Sequence, residues 1–344
     1  MRYSSVGISL SLGLILTGCG GSDGGDSSAQ VSLLFSDAPV NIASKVVVTV
    51  DTITFNRPGG EDIVVDTFTS DDLGIVDADT FTIDLLEVQG NDYRLVIDSV
   101  ELPIGDYSNI RIGILDEDVA LSYVEEEPLG GVKPLKVPSD ELKLGGFTVG
   151  EASTQTFVVE FGLQQSLVYN PGPPGQDRYI LKPRGVRVVD LQDASTLMGS
   201  VALDTIHTVA PCDSKPDSQA GNVAYLYNGH DLDPNLLADN FVSEDAAEPG
   251  EVFDPNAPDN IIAPAVSVEV VGGDVNGYLF SFLESGDYTL TLSCVAENDD
   301  PITYDNIMIA APSTELVEIS LGVEEMLVCD FPLVDGSCAN QVSE

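Results

Sequence analysis

The chain has 344 residues, is 43% hydrophobic, and carries 57 acidic against 13 basic side chains, a formal net charge of −44. A surface this acidic repels phosphate backbones, so we expect no nucleic-acid partner. The hydrophobic fraction is sufficient for cores, and the length suits two domains of ordinary size.

The N-terminal segment predicts export. Arg2 precedes an apolar stretch at residues 6–16, which is shorter than the roughly 20 residues of a membrane-spanning helix. The stretch ends in Leu16-Thr17-Gly18-Cys19, which resembles the bacterial lipobox, where a cysteine is acylated before the leader is cleaved. The resemblance implies a lipoprotein signal peptide at residues 1–18 and lipid attachment, with palmitate among the chains, at Cys19. The alternative is a free cysteine near an ordinary cleavage site.

The residues after the cysteine favour a particular location. Gly20 stands where enterobacterial lipoproteins of the inner membrane carry Asp, so the outer membrane is favoured, on its periplasmic or cell-surface face. Residues 19–29 are rich in Gly, Ser and Asp and are expected to form a flexible tether. No later segment is apolar and long enough to span a bilayer, so membrane contact is expected through the lipid anchor alone.

From residue 30 the chain has the pattern of β-strands. Residues 46–55 are rich in Val, Ile and Thr, and apolar residues alternate with others at 110–114 and 157–163. Period-two alternation places one strand face in a core and the other in water. We predict an immunoglobulin-like or transthyretin-like β-sandwich over residues 30–192, in which residues 80–89 could include a helical turn.

A polar stretch near residues 190–199 predicts a domain boundary. Alternation returns at residues 223–227, 266–270 and 288–294. We therefore predict a second β-sandwich over residues 197–332, and an all-β fold of two tandem sandwiches. Residues 232–264 are rich in Asp, Pro and Asn and are interpreted as an exposed or partly ordered acidic insertion. Residues 333–344 are expected to form a C-terminal tail.

Several segments, in order, resemble the domain of unknown function 4382 family of exported bacterial proteins. They lie at residues 33–40 (LLFSDAPV), 82–86 (TIDLL), 102–108 (LPIGDYS), 142–149 (LKLGGFTV), 161–167 (FGLQQSL) and 179–183 (YILKP). The resemblance implies an exported β-sandwich and no catalytic residue. The second domain is similar, through Gly286-Asp287-Tyr288, to carboxypeptidase-regulatory-like and carbohydrate-binding-like sandwiches.

The remaining cysteines predict two disulfides, because an even number in an exported chain indicates pairing. Cys294 continues the inward alternation of the strand before it, as a buried half-cystine would. Three pairings exist, and we favour Cys212 with Cys294 and Cys329 with Cys338. No Cys or His cluster has zinc spacing, since His207 and His230 stand alone, so no metal is firmly predicted and no cofactor is expected.

Acidic residues offer candidate calcium or ligand sites. Asp37 either binds a ligand or caps the turn before Pro39. Asp274 and Asn276 have the opening spacing of a calcium loop without its closing Glu, so a hairpin turn is the favoured alternative. A further group crowds one loop, where a solvated acidic surface is the simpler interpretation: Asp71, Asp72, Asp77 and Asp79. The overall negative charge likewise has three interpretations: calcium binding, capture of a basic partner, or a surface adapted to a saline habitat.

The functional prediction is a non-enzymatic, lipid-anchored cell-envelope protein with a binding, structural or adhesion role and a glycan or protein partner. The first alternative is a carbohydrate-binding accessory module of polysaccharide handling. It would use a stacking face of tyrosines, although alternation favours core positions for them: Tyr225, Tyr227, Tyr278 and Tyr288. A hydrolase is the second alternative, but no nucleophile-elbow motif occurs in the part expected to fold, and Walker and dinucleotide motifs are missing. Scattered carboxylates do not specify a glycosidase.

Overall fold

The computed structural model describes residues 27–38, 43–126, 130–244, 247, 252–272, 276–333 and 338–340. Strands dominate this part of the chain, and the helices are single turns. The predicted all-β fold class is therefore confirmed. Within the described residues, no helix has both the length and the apolar character required to cross a bilayer.

The strands between residues 28 and 190 pair only with one another in the described chain, and we call this part the N-terminal half. They are β1 (Ser28–Asp37), β2 (Lys45–Asn56), β3 (Ile63–Val65), β4 (Phe68–Ser70), β5 (Ile75–Ala78), β6 (Phe81–Asp84), β7 (Arg94–Pro103), β8 (Gly105–Tyr107), β9 (Asn109–Ile114), β10 (Tyr123–Glu126), β11 (Gly131–Lys136), β12 (Glu141–Lys143), β13 (Phe147–Val149), β14 (Thr154–Phe161), β15 (Leu167–Asn170), β16 (Arg178–Leu181) and β17 (Val186–Asp190). Single helical turns interrupt them: the 3-10 turns Leu85–Val88 and Pro138–Asp140, and the helix α1 (Leu163–Ser166).

The strands after residue 194 also pair only with one another among the described residues, and we call this part the C-terminal half. They are β18 (Ser195–Ser200), β19 (Val223–Asn228), β20 (Val266–Glu269), β21 (Gly277–Leu283), β22 (Gly286–Ser293), β23 (Leu316–Leu321), β24 (Met326–Val328) and β25 (Ala339–Asn340). Its helical turns are α2 (Leu203–Ile206) and the 3-10 turn Cys212–Ser214. The domain limits 30–192 and 197–332 stay a prediction.

Two sheets enclose the core of the N-terminal half. One has the order β17-β14-β1-β7, in which β1 and β14 run parallel. The larger sheet follows the path β12-β9-β2-β10-β11-β16-β15, and β3 and β6 also pair with β2. Leu33 and Phe35 of β1 lie in the same buried cluster as Val48 and Ile53 of β2, so the two sheets pack face to face.

The C-terminal half also has two main sheets, with the orders β21-β18-β24-β25 and β20-β19-β22-β23. Leu197 and Phe280 of the first share a core with Leu226 and Leu290 of the second. The apolar alternation at residues 266–270 and 288–294 therefore fills this core, whereas the alternating Val223, Tyr225 and Tyr227 of β19 lie in a separate buried cluster on the other face of their sheet. The hydrophobic effect makes such burial favourable by about 25 cal/mol for each Å² of apolar surface.

Two disulfides lie in the C-terminal half and join the pairs favoured from the sequence. Cys212 is bonded to Cys294 across 82 residues of chain, and both side chains are fully buried. Cys329 is bonded to Cys338 across 9 residues. The longer bridge ties the 3-10 turn Cys212–Ser214 to the end of β22, so it closes a large loop of the chain.

Residues 80–89 include the helical turn that the sequence allowed. They contain a strand and then the 3-10 turn Leu85–Val88, whose start is capped because the Asp84 carboxylate accepts from the Leu86 N–H at 3.2 Å. Three other predicted segments differ in detail: the tether 19–29, inside which β1 begins at Ser28; the tail 333–344, which contains β25 (Ala339–Asn340); and the insertion 232–264. The acidic insertion at 232–264 is not wholly exposed, since residues 237–242 are buried. Leu237 packs beside Tyr225 and Tyr227, which explains why this part of the insertion is ordered against the sandwich.

Candidate functional site

The two halves meet on the outer face of the four-stranded sheet of the N-terminal half. Leu34, Val158 and Val189 lie on the face opposite the core, because side chains alternate along a strand. They form a buried cluster with Phe282 of β21 in the C-terminal half. Both faces of this sheet are therefore covered, which accounts for the almost uniform burial at the end of β14.

A buried ion pair lies in the same junction. Glu160 of β14 stands directly opposite Arg187 of β17, and only 1% of Glu160 is exposed. The Arg187 guanidinium donates to the Glu160 carboxylate and to the Ser281 carbonyl of the C-terminal half, the latter at 3.1 Å. Burial raises the pKa of Glu160 to about 7, although Arg187 opposes the rise. One cation thus links a strand of each half.

Asp37, a candidate ligand residue, is fully buried at the end of β1. Its Oδ2 accepts from Gln89 Nε2 at 3.3 Å, while its Oδ1 has no hydrogen-bond partner in the described chain. Burial raises its pKa well above the usual value, and the negative charge of Glu160 adds to the rise. Burial therefore disfavours the charged form of the Asp37 carboxyl group.

A cleft with a volume of about 450 Å³ lies beside the junction, and we call it the junction cleft. Its walls come from both halves: Lys143, Leu144, Gly145, Gln165, Pro183, Arg184, Gly185 and Val186 from the N-terminal half, and Asn240, Phe241, Ala263, Pro264, Ala265 and Pro301 from the C-terminal half. The volume lies within the range of about 300–1,000 Å³ that is usual for small-molecule sites. No carboxylate is among these described lining residues.

Two buried amides connect the walls of the junction cleft. Gln165 Nε2 donates to Asn240 Oδ1 at 3.0 Å and to the Pro264 carbonyl at 3.3 Å. Asn240 Oδ1 also accepts from Ser267 Oγ at 3.0 Å, and Asn240 Nδ2 donates to Asp299 Oδ2 at 2.7 Å. Buried polar groups that are bonded in a chain of this kind hold one another in place. The cleft wall is therefore a preformed surface.

A carboxyl group supports this wall from behind. Asp299 accepts from the Tyr225 hydroxyl at 2.6 Å and from the Asn240 N–H at 3.1 Å. Burial raises the pKa of Asp299 to about 7, and the charge of Asp239 contributes to the rise. Burial likewise raises the pKa of Asp239 to about 6. Protonation of these carboxyls therefore falls near neutral pH.

Two cations lie at the junction cleft in a chain that is otherwise strongly acidic. Lys143 is exposed at the end of β12, and Arg184 lies in the turn between β16 and β17. In the part of the chain that the structure describes, Lys143 forms no ion pair. Ion pairs instead engage these other cations: Arg111, Lys133, Lys136, Arg178 and Arg187.

A second cavity of about 410 Å³ adjoins the junction cleft and shares Gly145, Val186 and Ala265 with it. Its walls include β17, the outermost strand of its sheet. The open space along the junction is therefore longer than the first cleft alone.

The tyrosine stacking face that the carbohydrate-binding alternative would use is not formed. Tyr225 and Tyr227 are 0% exposed, and Tyr278 and Tyr288 are buried as well. Their hydroxyl groups are satisfied inside the protein; for example, the Tyr278 hydroxyl donates to the Cys329 carbonyl at 2.6 Å. Sequence alternation indicated core positions for these residues, and the structure places them there.

The remaining candidates do not gather into one site. Cys19 and Asp274 lie outside the described residues, and Asn276 accepts a backbone bond from Val201 at 2.8 Å. The four aspartates of the acidic loop are exposed around the β4–β5 hairpin: Asp71, Asp72, Asp77 and Asp79. Among the described residues, no group of three or more His, Cys, Asp or Glu is arranged to hold a metal ion.

Each of the two isolated histidines lies within hydrogen-bonding distance of a backbone carbonyl. His207 Nδ1 lies 3.1 Å from the Cys212 carbonyl, and His230 Nε2 lies 2.8 Å from the Ile319 carbonyl. The His207 contact holds the ring to its own loop, whereas the His230 contact crosses to β23. His207 Nε2 also lies 3.2 Å from Asn222 Oδ1, and His230 Nε2 lies 3.8 Å from the Asp287 carboxylate.

A family model matches most of the N-terminal half. Residues 28–183 match the family described as "Domain of unknown function (DUF4382)", which confirms the resemblance read from the sequence. The matched region covers both sheets of the N-terminal half as far as β16. A comparison with curated proteins gives no match.

Solved structures show only distant similarity. The Bacillus anthracis TIE protein is 13% identical, over 88% of this chain and 33% of its own, with a TM-score of 0.17. A leucine-rich repeat protein from Bacteroides thetaiotaomicron is 10% identical, over 89% of this chain and 26% of its own, with a TM-score of 0.18. The fimbrial anchor protein Mfa2 from Porphyromonas gingivalis is 10% identical, over 91% of this chain and 95% of its own, with a TM-score of 0.16. Superpositions this poor do not define a common fold, and this chain spans a third or less of the first two proteins.

Proposed function

We propose that the protein is a lipid-anchored component of the cell envelope, held at the outer membrane through Cys19, with a non-catalytic binding or structural role. The observation that carries the proposal is the Leu16-Thr17-Gly18-Cys19 motif at the end of a short apolar stretch. A tether rich in Gly, Ser and Asp follows it and would hold the folded halves away from the bilayer.

The chemistry of the folded part supports this proposal. Disulfides are stable in oxidising compartments outside the cytosol, and two of them lie in the C-terminal half. The described lining of the junction cleft offers cations and amides, which bind ligands, but no carboxylate pair for acid–base catalysis. A binding role therefore suits the cleft better than hydrolysis does.

A second candidate function is a carbohydrate-binding accessory module, and the junction cleft favours it. Gln165 and Asn240 place amide groups at the wall of a small-molecule-sized space, where sugar hydroxyl groups can exchange hydrogen bonds. Since the four candidate tyrosines are buried, any sugar contact would depend on these polar groups rather than on a stacking platform.

The anchor is tested by substituting Cys19→Ser in the full-length chain and labelling cells with a radioactive or clickable palmitate. We expect the wild type to incorporate label and to remain with the membrane fraction, and the variant to lose both properties. Ser22→Ala, in the same tether, is the matched control and should behave as the wild type does. Membrane association and labelling that survive Cys19→Ser would overturn the proposal.

A further inference from the structure

The shape and position of the junction cleft indicate a binding site rather than a packing defect. Both halves contribute to it, and its wall is fixed by the hydrogen bonds from Gln165 to Asn240 and Pro264. Sites built where two folded units meet are a common location for ligands. Alanine, proline and glycine form much of the remaining wall, so it is smooth and weakly apolar.

The charge of the cleft contrasts with that of the chain. Only 13 of 344 residues are Lys or Arg, against 57 Asp and Glu, yet Lys143 and Arg184 both line this space and no described lining residue is acidic. Lys143 is exposed and forms no ion pair within the described residues, although acidic groups are abundant elsewhere. An exposed ammonium group without an ion pair in the described chain is suited to bind the carboxylate of a ligand.

The cleft also has hydrogen-bonding capacity that the protein leaves unused. Gln165 uses its Nε2 group for both of its bonds, and no described group bonds to its carbonyl oxygen. The Gln165 carbonyl oxygen is therefore not fully buried, and solvent can reach it. It can accept a hydrogen bond from a hydroxyl group of a ligand.

We infer that the junction cleft binds an acidic saccharide, with Lys143 contacting a sugar carboxylate and the Gln165 carbonyl accepting from a neighbouring hydroxyl. This inference rests on the binding role proposed above and gives it a ligand class. A uronic acid carries a carboxylate and several hydroxyl groups on one compact ring, which matches a cation and an amide that line the same cleft. The small apolar wall formed by Pro264 and Pro301 can contact the C–H groups of the ring.

The net charge of −44 does not prevent this recognition. Charges separated by more than about 8 Å are largely screened at physiological ionic strength. The carboxylate of a bound sugar would therefore respond mainly to the nearest cations. The distant acidic surface would slow association more than it weakens the bound state.

The test is isothermal titration of the full-length chain, purified in detergent, with α-1,4-linked digalacturonate and with the neutral α-1,4-galactobiose. We expect digalacturonate to bind at least about tenfold more tightly than the neutral sugar, which corresponds to one charge-assisted contact. Lys143→Gln should weaken digalacturonate binding by about tenfold and leave the neutral sugar unchanged. Lys45→Gln, which removes another exposed strand lysine, is the control of equal charge and should retain wild-type affinity.

Three results would overturn the inference. They are no digalacturonate binding up to about 10 mM, equal affinity for the acidic and neutral sugars, and equal loss of affinity in both lysine variants. Since Lys143 and Lys45 are exposed, circular dichroism of both variants should match the wild type, so a loss of binding will not reflect misfolding. Failure here leaves the lipid anchor standing, because the anchor is measured separately by labelling at Cys19.

Discussion

The carboxyl groups at the junction predict that the protein is more stable in mild acid than at neutral pH. Burial raises the pKa of Asp299 from 3.8 to about 7 in the folded protein, whereas the unfolded chain keeps an ordinary value. The folded state therefore binds the proton more tightly throughout the window between these values. Stability should fall as pH rises from about 4 to about 7, the reverse of an aspartate held by a salt bridge.

The size of this effect follows from the same pKa. Raising a carboxyl pKa from 3.8 to about 7 corresponds to at most on the order of 4 kcal/mol between its two protonation states. The network around Asp299 can relax when the group ionises, so we expect a smaller contribution, about 1–3 kcal/mol. Glu160 acts in the same direction because burial raises its pKa to about 7, and the whole acidic surface adds repulsion as it ionises.

The assay is urea denaturation followed by tyrosine fluorescence at several pH values between 4 and 8. Asp299→Asn removes the titrating group, so the slope of unfolding free energy against pH should become shallower between pH 4 and 7. Asp79→Asn removes the same charge from an exposed position and controls for surface repulsion. If the pH slopes of the two variants are equal, the reasoning about a buried, neutral Asp299 is wrong.

Further predictions concern the ion pair and the disulfides. Arg187→Ala leaves its buried carboxylate partner uncompensated and should cost about 3–5 kcal/mol in urea denaturation; a loss under about 1 kcal/mol would show that the guanidinium is not part of the junction. Replacing Cys212 and Cys294 together by Ala should cost about 4 kcal/mol, because their bridge closes a loop of 82 residues. The same change at Cys329 and Cys338, which close 9 residues, should cost about 2–3 kcal/mol, and equal melting temperatures for the two double variants would contradict this ranking.

Much of the fold could be predicted because it depends on local patterns. Alternation at residues 110–114 marks β9, whose Ile side chains face the core of the N-terminal half. Alternation at 223–227 marks β19, although both faces of this strand are buried: Leu226 faces the sandwich core, and Tyr225 and Tyr227 face the insertion. The alternation at residues 288–294 likewise indicated that the Cys294 side chain faces the core. Alternation at residues 157–163 marked β14 as well, but it did not predict that the outer faces of β1 and β14 are buried, because a simple sandwich leaves that face in water.

The junction cleft could not be predicted in this way. Gln165 and Asn240 are separated by 75 residues. Gln165 lies in the 161–167 segment of the family resemblance, which implies no functional residue, and Asn240 lies in the acidic insertion. Asn240 belongs to the insertion whose acidic composition indicated exposure, yet Leu237 and Phe241 on either side of it are apolar and buried. Those apolar neighbours were the available signal that part of the insertion docks against the sandwich.

The polar residues of the junction explain how a binding site and a rigid joint can coexist. Phe282 supplies apolar contact between the halves, but apolar contact alone would allow the two surfaces to slide, because the hydrophobic effect has no direction. The Arg187 bond to Ser281 and the Gln165 bond to Asn240 do have direction, and they fix how the halves meet. The walls of the junction cleft belong to different halves, so its shape is only as constant as their relative position. The same directed bonds that hold the halves together therefore preorganise the cleft for its ligand.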